Sequence, residues 1–311
     1  MPKVLAYRLL QFPLILAIIY VVTFLLIWVA PGTPFSSENR ALSPEALQQL
    51  KERFNADSAW RFLTHYPWRI LTEFDLGPSL VKRGFSVNEL IGAGIPISMT
   101  LGFVALAIAV VVGMLVGTLS AVKRDGLIDY AGMTLTLIGI SVPAFVTAAV
   151  MLLVFVAWLE WFPIGRWGRV QDVILPAIAL SLAPMAYIVR LQRVSMLDVL
   201  GADFVRTARA KGLSKTRVVI KHCMRNAFLP VLSYLGPAAA TTLTGSFVIE
   251  RVFSIQGGLG QHFVDAVTGR DQTMVLGLVL VYSTLLLALN LVVDMLYTVV
   301  DPRIDLEKKK A

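Results

Sequence analysis

Apolar residues in this chain gather into long runs separated by short polar connections, with little of the strict alternation that marks half-buried strands. A helix needs about 20 mostly apolar residues to cross a bilayer. Six stretches meet or approach that length: residues 9–29, 96–122, 131–158, 173–189, 228–249 and 274–300. The fourth is the shortest and carries Pro176 and Pro184. The pattern predicts an all-α integral membrane protein with six transmembrane helices. It divides the chain into residues 1–95 (the first span and a polar segment), residues 96–300 (five spans with a polar connection at 190–227) and a tail at 301–311.

The segment 31–95 carries signals of its own structure. In "SPEALQQLKERF", Ser43 stands at a helix N-cap, Pro44 at the first helical position and Glu45 in the first turn. Leu47, Leu50 and Phe54 then share one face, and Trp60, Phe62, Tyr66 and Trp68 suit a membrane–water interface. The segment reads either as an amphipathic cap packed on the bundle or as a surface that touches substrate.

Two spans have patterned faces. In the second, Ala105, Ala109, Gly113, Gly117 and Ala121 recur every four residues, a ridge that lets another helix approach closely. It serves either packing within the chain or a subunit interface. In the fifth, Tyr234, Pro237, Thr241, Thr244 and Val248 follow helical spacing, with Ser233, Thr242 and Ser246 adding hydroxyls. Pro237 is expected to interrupt this helix, and Pro143, beside Ser141 and Thr147, the third. Kinks and hydroxyls fit the lining of a path that opens and closes; interhelical hydrogen bonding is the alternative.

Composition agrees with the pattern. Hydrophobic residues make up 57% of the chain and charged ones 15%, against about 25% charged in soluble domains. The net charge of +8 reads as positive-inside loops rather than as a nucleic-acid surface. With the N-terminus inside, 17 of the 28 Lys and Arg residues fall on the cytoplasmic side. That orientation places both termini and residues 190–227 in the cytosol. The first apolar run is too long for a signal peptide and lacks a small-x-small cleavage site, so it is read as an uncleaved anchor.

Several chemistries lack their residues. A phosphate loop ending at Lys215 needs glycines at 209 and 214, which are Arg209 and Ser214. Pro143 stands where a nucleophile elbow around Ser141 needs its last glycine. Cys223 is the single cysteine, and His65, His222 and His262 are scattered, so no metal site is expected. Asp294 is the one ionisable residue clearly inside an expected span; it shares a helical side with Asn290 and Asp301. A polar interhelical contact is favoured there over a proton relay.

The most basic run, residues 206–226, holds seven Lys or Arg and no acid. Residues 202–211 are expected to form a short helix with Phe204, Val205 and Ala208 on one face. Gly212 is placed as its C-cap, Leu213 supplies the accompanying apolar contact, and Ser214 is expected to N-cap the helix leading into the fifth span. The run reads as helix, glycine turn, helix, held near lipid phosphates or an acidic partner.

These residues resemble the cytoplasmic loop of ATP-binding-cassette importer permeases of the type I fold, whose general signature is Glu-Ala-Ala, three residues, then Gly. Arg206, Thr207 and Ala208 take the first three places and Gly212 the last. The acidic residue is missing and Leu229-Pro230 lies farther on than in the general pattern, as in the peptide and nickel branch. "APGTPF", "FDLGPS", "SVNELI", "SYLGPA", "GSFVIERVFSIQGGLGQ" and "NLVVDMLYTVVDPRI" extend the likeness to the B-type permease subunit of oligopeptide importers over nearly the whole chain.

The resemblance implies a six-helix permease with an extracytoplasmic insertion after the first span, importing peptides by alternating access. It implies a homologous second permease as heterodimer partner, two cytoplasmic ATPases and an extracytoplasmic substrate-binding protein. The chain itself would be no enzyme, and ATP would be bound by the partner ATPases. Phe204, Val205, Arg206, Thr207, Ala208, Arg209, Ala210, Lys211, Gly212 and Leu213 would form the coupling loop, with Phe204, Val205, Ala208 and Leu213 touching the ATPase. Glu250, Arg251, Gly257 and Gly258 would lie near the outer gate. Nickel and glutathione permeases share much of the pattern, and a secondary transporter and a membrane-embedded enzyme are the competing classes.

Overall fold

The computed structural model describes residues 2–30, 58–82 and 84–300. The helix expected after Ser43 and the tail at 301–311 lie outside them. Every long apolar run forms helix; among the described residues the β-structure is one isolated bridge, Pro78 to Ser86. In chain order the helices are α1 (Pro2–Val29), α2 (Ala59–Glu73), α3 (Val87–Val122), α4 (Leu127–Ser141), α5 (Ala144–Trp158), α6 (Val170–Leu200), α7 (Asp203–Ala210), α8 (Lys215–Ala227), α9 (Leu229–Val252), α10 (Leu259–Thr268) and α11 (Gln272–Val300). Four of them, α1, α3, α6 and α11, are long and apolar enough to span alone. The count reaches six if α4 with α5, and α8 with α9, each make one span.

The bent pairs refine the proline expectations. Between α4 and α5 the chain turns by 106°. Val142 is extended (φ −93°, ψ 122°) and Pro143 is the N-cap of the next helix, because proline has no N–H to donate and disfavours helical backbone before it. Pro237 behaves otherwise than expected: α9 runs unbroken past it. The 52° bend precedes α9, beside Pro230, where the first helical turn needs no proline N–H.

One compact unit comprises residues 98–256 and 288–311. Its centre is α6, whose small residues Ala177, Ala179, Ser181 and Ala186 are buried. The α3 ridge packs against it. A Cβ added at Gly113 would stand 2.8 Å from Ile188 Cγ2, and one at Gly117 2.6 Å from the Val189 carbonyl oxygen. Ala105, Ala109 and Ala121 are buried in the same row. Packing within the chain therefore uses the whole ridge. On a neighbouring face of α6, Gly139 of α4 admits Ala186 and the Leu182 carbonyl in the same way.

An ion pair missed by the sequence reading joins α4 to α6. Arg193 donates from Nε to Asp129 Oδ1 at 2.6 Å and from Nη2 to Asp129 Oδ2 at 2.7 Å, and the Asp125 N–H also donates to Oδ2. The Asp129 side chain is only 5% exposed. Both residues sit at ends of apolar runs. Asn290, on α11, lies against Gly236 of α9, where a Cβ would stand 2.7 Å from its Oδ1; this is the polar side that Asp294 shares.

The second unit comprises residues 1–97 and 257–287, so residues 257–287 pack with the start of the chain. Tyr20 and Phe24 of α1, Phe62 and Tyr66 of α2 and Leu276 of α11 form its aromatic core. Phe62 and Tyr66 rings stack at 5.3 Å, and the Tyr20 hydroxyl donates to the Leu63 carbonyl at 3.1 Å. Trp60 and Trp68, on the opposite side of α2, are exposed. The helix is therefore amphipathic within its own unit. Asp271 ties the start of α11 to the 78–82 turn: Oδ1 accepts from the Met274 N–H and the Thr273 hydroxyl, while Oδ2 accepts from the Ser79 hydroxyl at 2.5 Å and the Val81 N–H.

His262 of α10 is buried, with Nδ1 2.9 Å from Lys82 Nζ. Burial first, and the lysine charge second, push its pKa down to about 4, partly opposed by Asp265. The imidazole is neutral at physiological pH.

Candidate functional site

The 201–227 connection forms the turn the sequence predicts. Asp203 lies in the first turn of α7 and Arg209 in the last, each complementing the helix dipole. Gly212 has φ +80°, in the left-handed region. Its N–H donates to the Arg209 carbonyl at 2.9 Å and the Leu213 N–H to the Ala208 carbonyl at 3.3 Å, the paired bonds of a Schellman cap. A Cβ at Gly212 would meet open space, so backbone conformation rather than crowding selects glycine here. Ser214 holds the extended backbone of an N-cap, but its side chain makes no capping bond.

The inward side of this turn is a small core. Val205 and Ala208 of α7 pack with Val218, Val219, Cys223 and Ala227 of α8, together with Ala121 of α3 and Met196 of α6. A π-helical turn at Val218–Cys223 brings both Val218 and Val219 inward. Leu213 packs at the edge of the same cluster. Val205 and Ala208, expected to face a partner, instead anchor α7 to its own chain, because a short helix must bury one face to persist. The outward face holds Phe204, Arg206, Thr207, Arg209, Ala210, Lys211 and the exposed Gly212. Phe204, at 42% exposure, is its large apolar group. Arg206 sits 3.5 Å from Asp203, but both side chains are so exposed that the pair contributes little.

The five-residue face on α9 divides. Tyr234 is half-buried, its ring 5.6 Å from that of Tyr187. Thr241 and Val248 are exposed, and with Ser233 and Pro237 they make one open stripe along the helix. The Thr241 hydroxyl donates to the Ala238 carbonyl at 3.0 Å. Thr242 and Ser246 are buried and bond back to Ala238 and Leu243, each at 2.6 Å. The Thr244 side chain lies outside the described residues. Ser141 is exposed at the α4–α5 break, and Thr147 is half-buried with its hydroxyl on the Ala144 carbonyl.

Of the outer-gate candidates, Glu250 is fully buried and Arg251 exposed. The Ile255 N–H returns to the Glu250 carbonyl at 2.8 Å, closing the turn after α9. Gly257 has φ +82°, and Gly258 is the buried N-cap of α10. Among the described residues no group of His, Cys, Asp and Glu could hold a metal ion.

Known proteins share this architecture. Inward-facing structures of the MetNI methionine ABC transporter match with a TM-score of 0.57 at 21% identity, over 68% of this chain and 97% of theirs. The dipeptide transport system permease protein DppB of Bacillus subtilis is 40% identical over 94% of each chain. The oligopeptide transport system permease protein OppB of Haemophilus influenzae is 40% identical over 98% of this chain and 99% of its own, and that of Escherichia coli K12 39% identical over 93% and 94%. Residues 109–306, which include α6, the capped turn and the α9 stripe, match the family described as binding-protein-dependent transport system inner membrane component, and the chain belongs to that family.

Proposed function

We propose that this chain is one permease subunit of an ATP-driven importer that carries dipeptides or oligopeptides across the cytoplasmic membrane. One observation carries the mechanism: α7 is exposed on one face, while its other face shares a core with α3, α6 and α8. A force applied to Phe204 and its cationic neighbours is thereby passed to two spans through close packing rather than through a flexible loop. The outward face of α7 seats on one of two cytoplasmic ATPases, a second homologous permease completes the path, and an extracytoplasmic binding protein delivers substrate. Both termini and α7 lie in the cytosol, in keeping with the positive-inside bias. ATP-driven closure of the ATPases shifts α7, and the α9 stripe alternately faces the two sides. The peptide class rests on the near full-length likeness to peptide permeases.

The experiment is peptide uptake by vesicles containing the chain with its partner subunits. Gly212→Pro and Ala208→Trp should abolish ATP-dependent uptake while the chain still inserts in the membrane. Phe204→Ala should release the ATPases on purification without loss of the folded permease. Normal uptake by the Gly212 and Ala208 variants would refute the lever. Uptake that survives loss of the ATPases but follows a proton gradient would place the chain among secondary transporters.

A further inference from the structure

Beside the aromatic core of the 1–97 and 257–287 unit lies a groove of about 320 Å³. Its volume falls at the lower end of the roughly 300–1,000 Å³ typical of small-molecule sites. Its walls are apolar and come from three helices, with Leu26 and Ile27 of α1, Val267 of α10, and Val275 and Val279 of α11 among them. Leu26 and Val267 are 69% and 48% exposed, so the groove opens sideways. At one end stand Arg270, Asp271 and Gln272. The Asp271 carboxylate is already occupied by Ser79, Val81, Thr273 and Met274, whereas Arg270 has no ion pair among the described residues.

Arg270 also holds an unfavourable backbone. Its φ is +60°, in the left-handed region where glycine is the natural choice. The glycine of this turn is instead Gly269, at φ −81°, where a Cβ would stand 2.9 Å from Val81 Cγ2. A strained arginine, half-buried and without an ion pair among the described residues at the mouth of an apolar groove, calls for an anionic group with an apolar tail. We propose that this groove binds an anionic phospholipid, one acyl chain lying along Leu26, Ile27, Val275 and Val279 and the phosphodiester on the Arg270 guanidinium. A planar guanidinium suits a phosphate pair of oxygens.

The test uses the importer assembled with its partner subunits in phosphatidylcholine nanodiscs doped with photoactivatable phosphatidylglycerol or photoactivatable phosphatidylcholine. The phosphatidylglycerol probe should label peptides from the 263–279 region and the phosphatidylcholine probe should label them far less. Arg270→Gln should reduce that labelling about tenfold, the equivalent of one charge-assisted contact. Val279→Trp should block both probes by filling the groove. Arg270→Gly separates binding from folding. Glycine relieves the left-handed strain, so this variant should unfold at the same or a higher temperature in plain phosphatidylcholine, yet lose its preference for the anionic probe. Equal labelling by the two probes, an undiminished preference in Arg270→Gly, or capture of the groove by the second permease in place of lipid would overturn the proposal.

Discussion

Two helical stripes of the same period meet opposite fates in this protein. On α3, Ala105, Ala109, Gly113, Gly117 and Ala121 disappear into the chain's own core. On α9, Ser233, Pro237, Thr241 and Val248 stay open. The difference is side-chain size and chemistry. Residues with at most one side-chain carbon let α6 come within 2.6 Å of where a Cβ would sit, and dispersion contacts then hold the two helices together. The α9 stripe offers hydroxyls and a proline ring, which neither interlock with a neighbour nor clash with water. Periodicity marks a face, and residue size tells whether the chain can consume that face itself.

The sharpest way to break the contrast is to give the closed stripe a side chain. Gly117→Leu would drive atoms into the Val189 carbonyl and Gln192, both on a helix packed on several sides. Overpacking of this kind costs about 3 kcal/mol or more, and loss of folded protein on detergent extraction measures it. Next comes Arg193→Ala, which leaves the Asp129 carboxylate buried and unpaired. A loss of about 3 kcal/mol in thermal unfolding is expected, with much of it restored in the Arg193→Gln, Asp129→Asn double variant. On the open side effects shrink. Gly212→Ala keeps the space but forces a side chain into left-handed backbone, costing about 1 kcal/mol by thermal unfolding and more in uptake than in stability.

A pH scan sharpens the comparison within the other unit. The folded-state pKa of His262 lies near 4, below the ordinary value of 6.5. Between those values the unfolded chain binds a proton that the folded one does not. Stability is therefore complete above about pH 6.5 and falls as pH drops toward 4. His262→Gln should flatten that part of the profile as read by tryptophan fluorescence. The smallest expected effect on stability is at the open stripe: Thr241→Val should change the unfolding free energy by less than about 0.5 kcal/mol, yet alter the apparent affinity for peptide in uptake. A large stability loss there would mean that the stripe is core after all.

Much of this was readable in residue order. The runs of apolar residues, the left-handed place for Gly212 and the small-residue ridge are local properties: span length follows from bilayer thickness, and the glycine and ridge follow from sterics at single positions. The inward turn of Val205 and Ala208 was not readable. An amphipathic helix of eight residues shows which side is apolar, but whether its own chain or a partner covers that side depends on where α3, α6 and α8 end. The Asp129–Arg193 pair was hidden for a related reason, since two charges 64 residues apart meet only once α4 lies along α6. Proline effects split in the same way. Pro143 breaks its helix by holding the preceding Val142 in extended backbone, whereas Pro237 is absorbed in a continuous α9 and the bend moves to Pro230. Local order sets what each segment is able to do; the packing of distant helices decides which apolar face is closed, which charge is paired and which stripe is left for a partner or a substrate.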